Sequence, residues 1–361
     1  FKQIIMIIVG GVLIYLAIKK DYEPALLLPI GFGAILVNIP FTSVLTQVTD
    51  GVTQHGALSI LYEAGILTEL FPLLIFIAIG AMIDFTPLLQ NPRLLLFGAA
   101  AQFGIFFTMT VASLFGFSLK EAASIGVIGT ADGPTSIYVA SRFAKNLLGP
   151  ISVAAYSYMS LVPFIQLPVI RLLTTKKERR IRMDYHEKKI PKLVKILFPI
   201  IVTLIAGLIA PVSLALIGFL MFGNLIRECG VLERLSNAAQ KELANIVTLL
   251  LGITIGSTMT AEKFLRVDTL LILGMGLVAF IFDTAGGVLF AKFLNLFLKH
   301  KINPMVGAAG ISAFPMSARV VQKMGQQEDP SNFLLMHAAS ANFAGQIGSV
   351  IAGGLILALV K

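Results

Sequence analysis

The sequence predicts an all-α polytopic membrane protein of about ten to twelve membrane segments, in two repeats with broken or re-entrant helices. Three observations carry this reading. Of 361 residues, 57% are hydrophobic and only 13% are charged, about half the charged share of a soluble domain. Mean hydropathy is +0.88, and a soluble fold of this length could not hide so much apolar surface. The apolar positions also come in solid runs, whereas a membrane barrel needs alternation. A soluble enzyme, a disordered chain and an ordinary nucleic-acid binder are excluded.

The runs lie at 3–18, 24–40, 71–83, 94–118, 122–140 and 147–173, then at 193–210, 212–226, 245–259, 269–298, 303–322 and 333–360. The first ends at Lys19-Lys20 without a cleavage signature, so it reads as a membrane helix and not a signal peptide. The opening residue, Phe1, points to a short preceding piece. Several runs are short or interrupted by Gly and Pro, the mark of helices broken within the bilayer.

Ten of the 28 basic residues lie between Arg171 and Lys195 with three acids, Glu178, Asp184 and Glu187, so this stretch holds +7 of the net +9. A basic loop between apolar runs is expected on the cytoplasmic side. It lacks the aromatic series of a nucleic-acid stacking platform. The single cysteine, Cys229, allows no disulfide within the chain, and His55, His186, His300 and His337 show no metal-ligand spacing. No phosphate loop is present, which argues against an ATP-driven pump. No Met-Lys-Met biotin attachment site occurs either, so any biotin chemistry must come from a partner.

The two sets of runs correspond. Glu63-Ala64-Gly65-Ile66-Leu67 recurs as Glu228-Cys229-Gly230-Val231-Leu232, and Ile79-Gly80-Ala81 as Ile255-Gly256-Ser257. Gly126, Gly129, Pro134 and Ser136 recur with identical spacing as Gly307, Gly310, Pro315 and Ser317. The chain therefore divides into a first half over 1–175, a basic linker over 176–192 and a second half over 193–361. An inverted relation between the halves is expected.

The chemistry concentrates in Gly126-Val127-Ile128-Gly129-Thr130-Ala131-Asp132-Gly133-Pro134-Thr135-Ser136, inside an apolar run. An acid at mid-bilayer costs about 2.5–3.5 kcal/mol on insertion scales. Glycines and a proline break the helix around it and free carbonyls beside the carboxylate and hydroxyls. This hard-oxygen set suits Na⁺ or H⁺ rather than zinc; the plainer role for Asp132 is to cap the second half-helix. Tyr156-Ser157-Tyr158 lies in the next run, where a phenol can ligate an ion, relay a proton or simply anchor at the interface. The matching segment of the second half runs from Asn303 through Gly307, Gly310, Ser312, Pro315 and Ser317 to Arg319, with no acid matching Asp132. Ser312 and Asn303 offer neutral oxygens. Arg319 offers a cation, or snorkels to the interface. His337, Ser340 and Asn342 add polar groups in the last run. Asp283, before Gly286-Gly287, is a hinge cap or a functional group, whereas Asp84 is expected to cap a helix.

These residues carry a resemblance over essentially the whole chain. Gly129-Thr130-Ala131-Asp132-Gly133-Pro134-Thr135, Ala154-Ala155-Tyr156-Ser157-Tyr158-Met159, Leu173-Thr174-Thr175-Lys176-Lys177-Glu178-Arg179 and Asn332-Phe333-Leu334-Leu335-Met336-His337-Ala338 resemble the β subunits of the Na⁺-pumping, biotin-dependent decarboxylases of oxaloacetate, methylmalonyl-CoA, glutaconyl-CoA and malonate. The resemblance implies a multi-pass subunit of a bacterial or archaeal cell membrane that decarboxylates carboxybiotin and exports Na⁺. It implies a biotin-carrier subunit, a carboxyltransferase α subunit and a small membrane subunit as partners, a β homotrimer, and elevator-like motion. The family's functional residues fall on Asp132, Tyr158, Asn303, Gly307, Ser312, Arg319 and Asn342. Asp132, Tyr158, Asn303, Gly307, Ser312 and Asn342 would hold Na⁺. Arg319 and Asn342 would meet carboxybiotin, with Asp132, Tyr158 and Arg319 serving the reaction. Two departures stand out: Thr130 replaces a commoner Gly, and Ser340-Ala341-Asn342 replaces a common Gly-Pro-Asn. The chain also lacks the long extra first-half segment of typical oxaloacetate members, which leans it towards an acyl-CoA decarboxylase. The rival function, a stand-alone Na⁺-coupled transporter, shares broken helices and a buried acid; co-purification of a biotinylated partner separates the two. A purely structural membrane scaffold leaves Asp132 unexplained.

Overall fold

The computed structural model describes residues 1–20, 24–49, 52–183, 189–313 and 315–360. Asp184, His186, Glu187 and Lys188 of the basic loop, and Phe314 of the second broken segment, lie outside the described residues.

Among the described residues the regular structure is helical apart from one small antiparallel hairpin, Gln47–Thr49 with Val52–Gln54. In order, the principal helices are α1 (Lys2–Lys20), α2 (Pro24–Asn38), α3 (Leu70–Met82), α4 (Phe103–Leu114), α5 (Leu119–Gly126), α6 (Gly133–Phe143) and α7 (Leu148–Leu173). After the basic loop come α8 (Lys192–Ile209), α9 (Leu214–Glu228), α10 (Ala244–Ser257), α11 (Val267–Phe297), α12 (Pro304–Ala308), α13 (Met316–Glu328) and α14 (Leu335–Leu359). Among the described residues, seven helices are long and apolar enough to cross a membrane, and nine if each bent pair is one span. The shorter apolar α2 and the two broken segments, α5–α6 and α12–α13, complete a set of twelve.

The bends have sequence causes. Ala57–Leu67 meets α3 at 60°, where Tyr62–Leu67 is a π-helix and Glu69 takes a left-handed φ of 65°. In α7 the two halves, split at Met159 and Leu161, meet at 67°; Pro163 cannot donate to the carbonyl four residues back.

Glycine sets how closely the helices approach. A Cβ added at Gly80 on α3 would lie 1.8 Å from Leu220 O on α9, and one at Gly223 on α9 would lie 2.0 Å from Ile77 O. The same interlock joins α10 to α2: a Cβ at Gly256 would lie 2.3 Å from Ile30 O, and one at Gly33 would lie 2.5 Å from Ile253 O. The offset is 176 from Gly80 to Gly256 and from Ile77 to Ile253, and 190 from Gly33 to Gly223 and from Ile30 to Leu220. Buried amides follow the pattern. Asn38 on α2 donates to Met259 O past the end of α10, and Asn224 on α9 donates to Ile83 O past the end of α3. In lipid, where tails are as apolar as leucine, such close small-residue packing holds helices together.

Candidate functional site

Each broken segment is built by local rules. α5 starts in a capping box: Ser118 Oγ accepts from Glu121 N while Glu121 accepts from Ser118 N. After Gly126 the helix tightens to a 3₁₀ turn over Val127–Thr130, Ala131 flips to a left-handed φ of 52°, and Asp132 is extended at the N-cap of α6. A left-handed non-glycine residue costs about 1–2 kcal/mol, a strain that gathers at functional sites. The second segment breaks likewise: α12 ends at Ala308, and α13 begins at Met316.

The two breaks touch, and α14 lies across both. Ser312 N donates to Thr130 O at 2.9 Å, so one break satisfies a carbonyl freed by the other. Ser312 Oγ donates to Gly345 O on α14 at 2.9 Å. Asn342 on α14 donates to Ala309 O and Ile311 O, while its Oδ1, fully buried, accepts no hydrogen bond. One turn on, Gln346 Nε2 donates to Asp132 Oδ2 at 3.0 Å, and Ser349 Oγ donates to the same oxygen at 2.8 Å. Thr135 adds its backbone N–H to Oδ1 at 3.2 Å and its hydroxyl to Oδ2 at 2.8 Å. Asp132 is only 3% exposed and faces the N-terminus of α6, where the helix dipole favours an anion. Capping and deep burial therefore coincide in one side chain. Its surroundings are hydroxyl, amide and carbonyl oxygens, the donor chemistry of a hard cation.

The other expected residues are distributed around this centre. Tyr156 lies against it: a Cβ added at Gly133 would meet the Tyr156 ring at 2.2 Å. Tyr158 turns towards α11, where its hydroxyl donates to Leu273 O and its ring covers Gly276. Gly307 is a contact position, since a Cβ there would lie 2.1 Å from Gly287 O. Asn303 is fully buried at the N-cap of α12; its Oδ1 accepts from Met305 N, and its Nδ2 donates to Arg179 O and Ile181 O in the basic linker. Arg319 is exposed on the first turn of α13 and joins none of the ion pairs among the described residues.

Gln346 and Ser349 escaped the reading of the sequence. The signal was present: Asn342, Gln346 and Ser349 are spaced i, i+4 and i+7, one polar stripe on an apolar helix. Gln166 also escaped. It is buried on α7, donates to Ala308 O at 2.8 Å and exchanges hydrogen bonds with Ser317. It covers the second break as Gln346 covers the first.

The family described as "Na⁺-transporting oxaloacetate decarboxylase beta subunit" matches residues 2–360. The methylmalonyl-CoA decarboxylase subunit beta of Propionigenium modestum is 51% identical over 376 residues, covering 99% of this chain and 94% of the relative. The glutaconyl-CoA decarboxylase subunit beta of Acidaminococcus fermentans is 52% identical over 356 residues, covering 99% and 92%. The oxaloacetate decarboxylase beta chain of Klebsiella pneumoniae is 45% identical over a longer stretch of 412 residues, covering 99% and 95%. Broken membrane helices, a buried carboxylate among oxygen donors and full-length similarity lead to one conclusion: this chain belongs to the family of Na⁺-transporting oxaloacetate decarboxylase beta subunits.

Proposed function

We propose that Na⁺ crosses the membrane through the centre at Asp132 while carboxybiotin, presented by a separate biotin-carrier subunit, loses CO₂ at this chain. The observation that carries the reading is Asp132 itself: a buried carboxylate held by Thr135, Gln346 and Ser349 where two helix breaks meet. A mid-membrane carboxylate needs a cation or a proton to be tolerated. Na⁺ would be held by Asp132 with Ser312, the orphaned Asn342 Oδ1 and nearby hydroxyls. Tyr158, Asn303 and Gly307 would set the helix positions around it. Arg319, exposed and outside the ion pairs, is suited to receive the carboxylate of carboxybiotin. In the reaction the N–CO₂⁻ bond breaks, CO₂ leaves and the biotin nitrogen takes a proton.

The matched glycine contacts, 176 and 190 residues apart, support an inverted repeat with halves 1–175 and 193–361 joined by the linker 176–192. They also fit an elevator in which the paired breaks move against α2, α3, α9 and α10. A carboxyltransferase α subunit, a small membrane subunit and a β homotrimer complete the proposed assembly. The acyl-CoA relatives align without the longer span of the oxaloacetate relative, which favours a methylmalonyl-CoA or glutaconyl-CoA complex.

The test is to purify the chain from its native membrane and follow carboxybiotin decarboxylation against Na⁺. A biotinylated partner and Na⁺-dependent activity lost in Asp132→Asn are expected. Solute transport by a chain lacking any biotinylated partner would overturn the reading.

A further inference from the structure

A second carboxyl lies inside the membrane and has no part in the site above. Asp283 is the seventeenth of the 31 residues of α11, at mid-length, and is fully buried. It is wedged between two glycines. A Cβ added at Gly104 on α4 would lie 2.6 Å from its Oδ1, and one added at Gly129, in the 3₁₀ turn before Asp132, would lie 2.3 Å from its Oδ2. Neither oxygen receives a hydrogen bond of ordinary geometry. The backbone N–H groups of Gly104 and Ile105, in the first turn of α4, lie beside the carboxyl.

The facing elements bring no cation. α4, the turn Val127–Thr130, the helix Leu95–Ala100 and α12 contain no ionisable residue. α5 has Lys120 and Glu121 only at its far start; α7 offers Tyr156 and Tyr158, the latter meeting α11 back at Leu273 and Gly276, and carries Arg171 only in its exposed last turn. The nearest acid on a facing segment is Asp132, three residues past Gly129. A metal cation at Asp283 would need several further oxygens, and Gly104 and Gly129 bring no side-chain oxygen. An isolated carboxylate in such surroundings takes up a proton instead of remaining charged.

We infer that Asp283 is a proton-binding site, holding a proton while Gly129 is seated against it and exchanging that proton when the first broken segment moves away. The protonated group is neutral, so α11, α4 and the turn at Gly129 can pack closely. Withdrawal of the turn admits water and favours the ionised form. The site thus ties the position of the ion-carrying segment to proton uptake. The link rests on the proposed motion of the breaks, extended here to movement of 126–136 against α4 and α11; the proton itself does not.

Infrared spectroscopy of the full chain in lipid nanodiscs tests this. At neutral pH the wild type should show a protonated-carboxyl C=O band that moves on ¹³C-aspartate labelling. The band should persist in Asp132→Asn and vanish in Asp283→Asn. Gly129→Ala, which pushes the turn off Asp283, should shift its disappearance to lower pH. If Asp283→Asn does not fold, the labelled wild type, Asp132→Asn and Gly129→Ala still decide. No band in the wild type, a band retained in Asp283→Asn, or a titration unmoved by Gly129→Ala would overturn the proposal and leave Asp283 as a charged cap on α4. Failure of the Na⁺ reading would appear separately, as Na⁺-independent activity with the band intact.

Discussion

Ser349 Oγ lies 2.8 Å from Asp132 Oδ2, across 217 residues of chain. The anion belongs to one helix break, and two of its donors belong to α14. Any motion that separates the first break from α14 must therefore strip two hydrogen bonds from a buried carboxylate, unless a cation or a proton replaces them.

Replacing Ser349 by alanine gives a prediction whose sign is informative. A hydrogen bond to a charged group is worth about 1.5–3 kcal/mol. If the Ser349 oxygen ligates Na⁺, Ser349→Ala should raise the Na⁺ needed for half-maximal decarboxylation by roughly tenfold or more. If it merely steadies the ion-free carboxylate, the requirement should fall. The expected outcome is a rise, read from the Na⁺ dependence of the rate.

The two neighbouring tyrosines should separate. Tyr156 packs on Gly133 beside Asp132, whereas the Tyr158 hydroxyl is engaged by Leu273 O on α11. Tyr156→Phe should change the Na⁺ midpoint. Tyr158→Phe should slow turnover, with the loss of about 1 kcal/mol of helix–helix hydrogen bonding, and leave the midpoint within error. Na⁺ titrations of both variants check this, and a midpoint moved only by Tyr158→Phe would reverse the assignment.

The legible and illegible parts of this molecule divide on physical grounds. The broken segments were readable because glycine, proline and an acid inside an apolar run are expensive in lipid and therefore conspicuous. Asp132 was found for that reason, and Asn342 through the family resemblance. Gln346, Ser349 and Gln166 were not, because a lone uncharged polar residue in a long apolar helix is cheap enough to pass unremarked. Asn303 shows another limit: the sequence marks it as a neutral polar group in a broken segment, but only coordinates reveal that its amide holds two carbonyls of the basic linker. Which helices meet was also hidden, since Gly80 declares a close approach without naming Leu220 as its partner.

That close approach gives a stability prediction. Gly80→Val forces a side chain into Leu220 O, where even a Cβ would sit at 1.8 Å. Overpacking of this kind costs about 1–3 kcal/mol. Gly274 on α11 has nothing within 4 Å of an added Cβ, so Gly274→Ala should be neutral or stabilise by up to about 1 kcal/mol through helix propensity. Thermal unfolding in detergent should drop for the first and hold or rise for the second.

The linker provides the pH prediction. Arg179, 7% exposed, donates to Glu328 at 2.7 Å at the end of α13, and Arg182 donates to Asp329 at 2.7 Å. Hydrogen bonds from these guanidinium groups hold both carboxyls below the usual carboxylate range. Asn303 and Asn332 clamp the carbonyls of Arg179 and Ile181 between the same ion pairs. Because the folded-state values are depressed, the stabilisation is fully present above the ordinary carboxylate range. It is lost as pH falls through the lower folded values. Both acids are near the surface, so the effect is screened by salt and modest in size. Amide exchange over 174–183 should stay slow from neutral pH to about pH 5, after correction for intrinsic rates, and quicken below the usual carboxylate values. Glu328→Gln should quicken it already at neutral pH, and Asn303→Ala should do so at every pH, because it removes a clamp that does not titrate. An Asn303→Ala variant with unchanged exchange but an altered Na⁺ midpoint would instead make Asn303 an ion ligand.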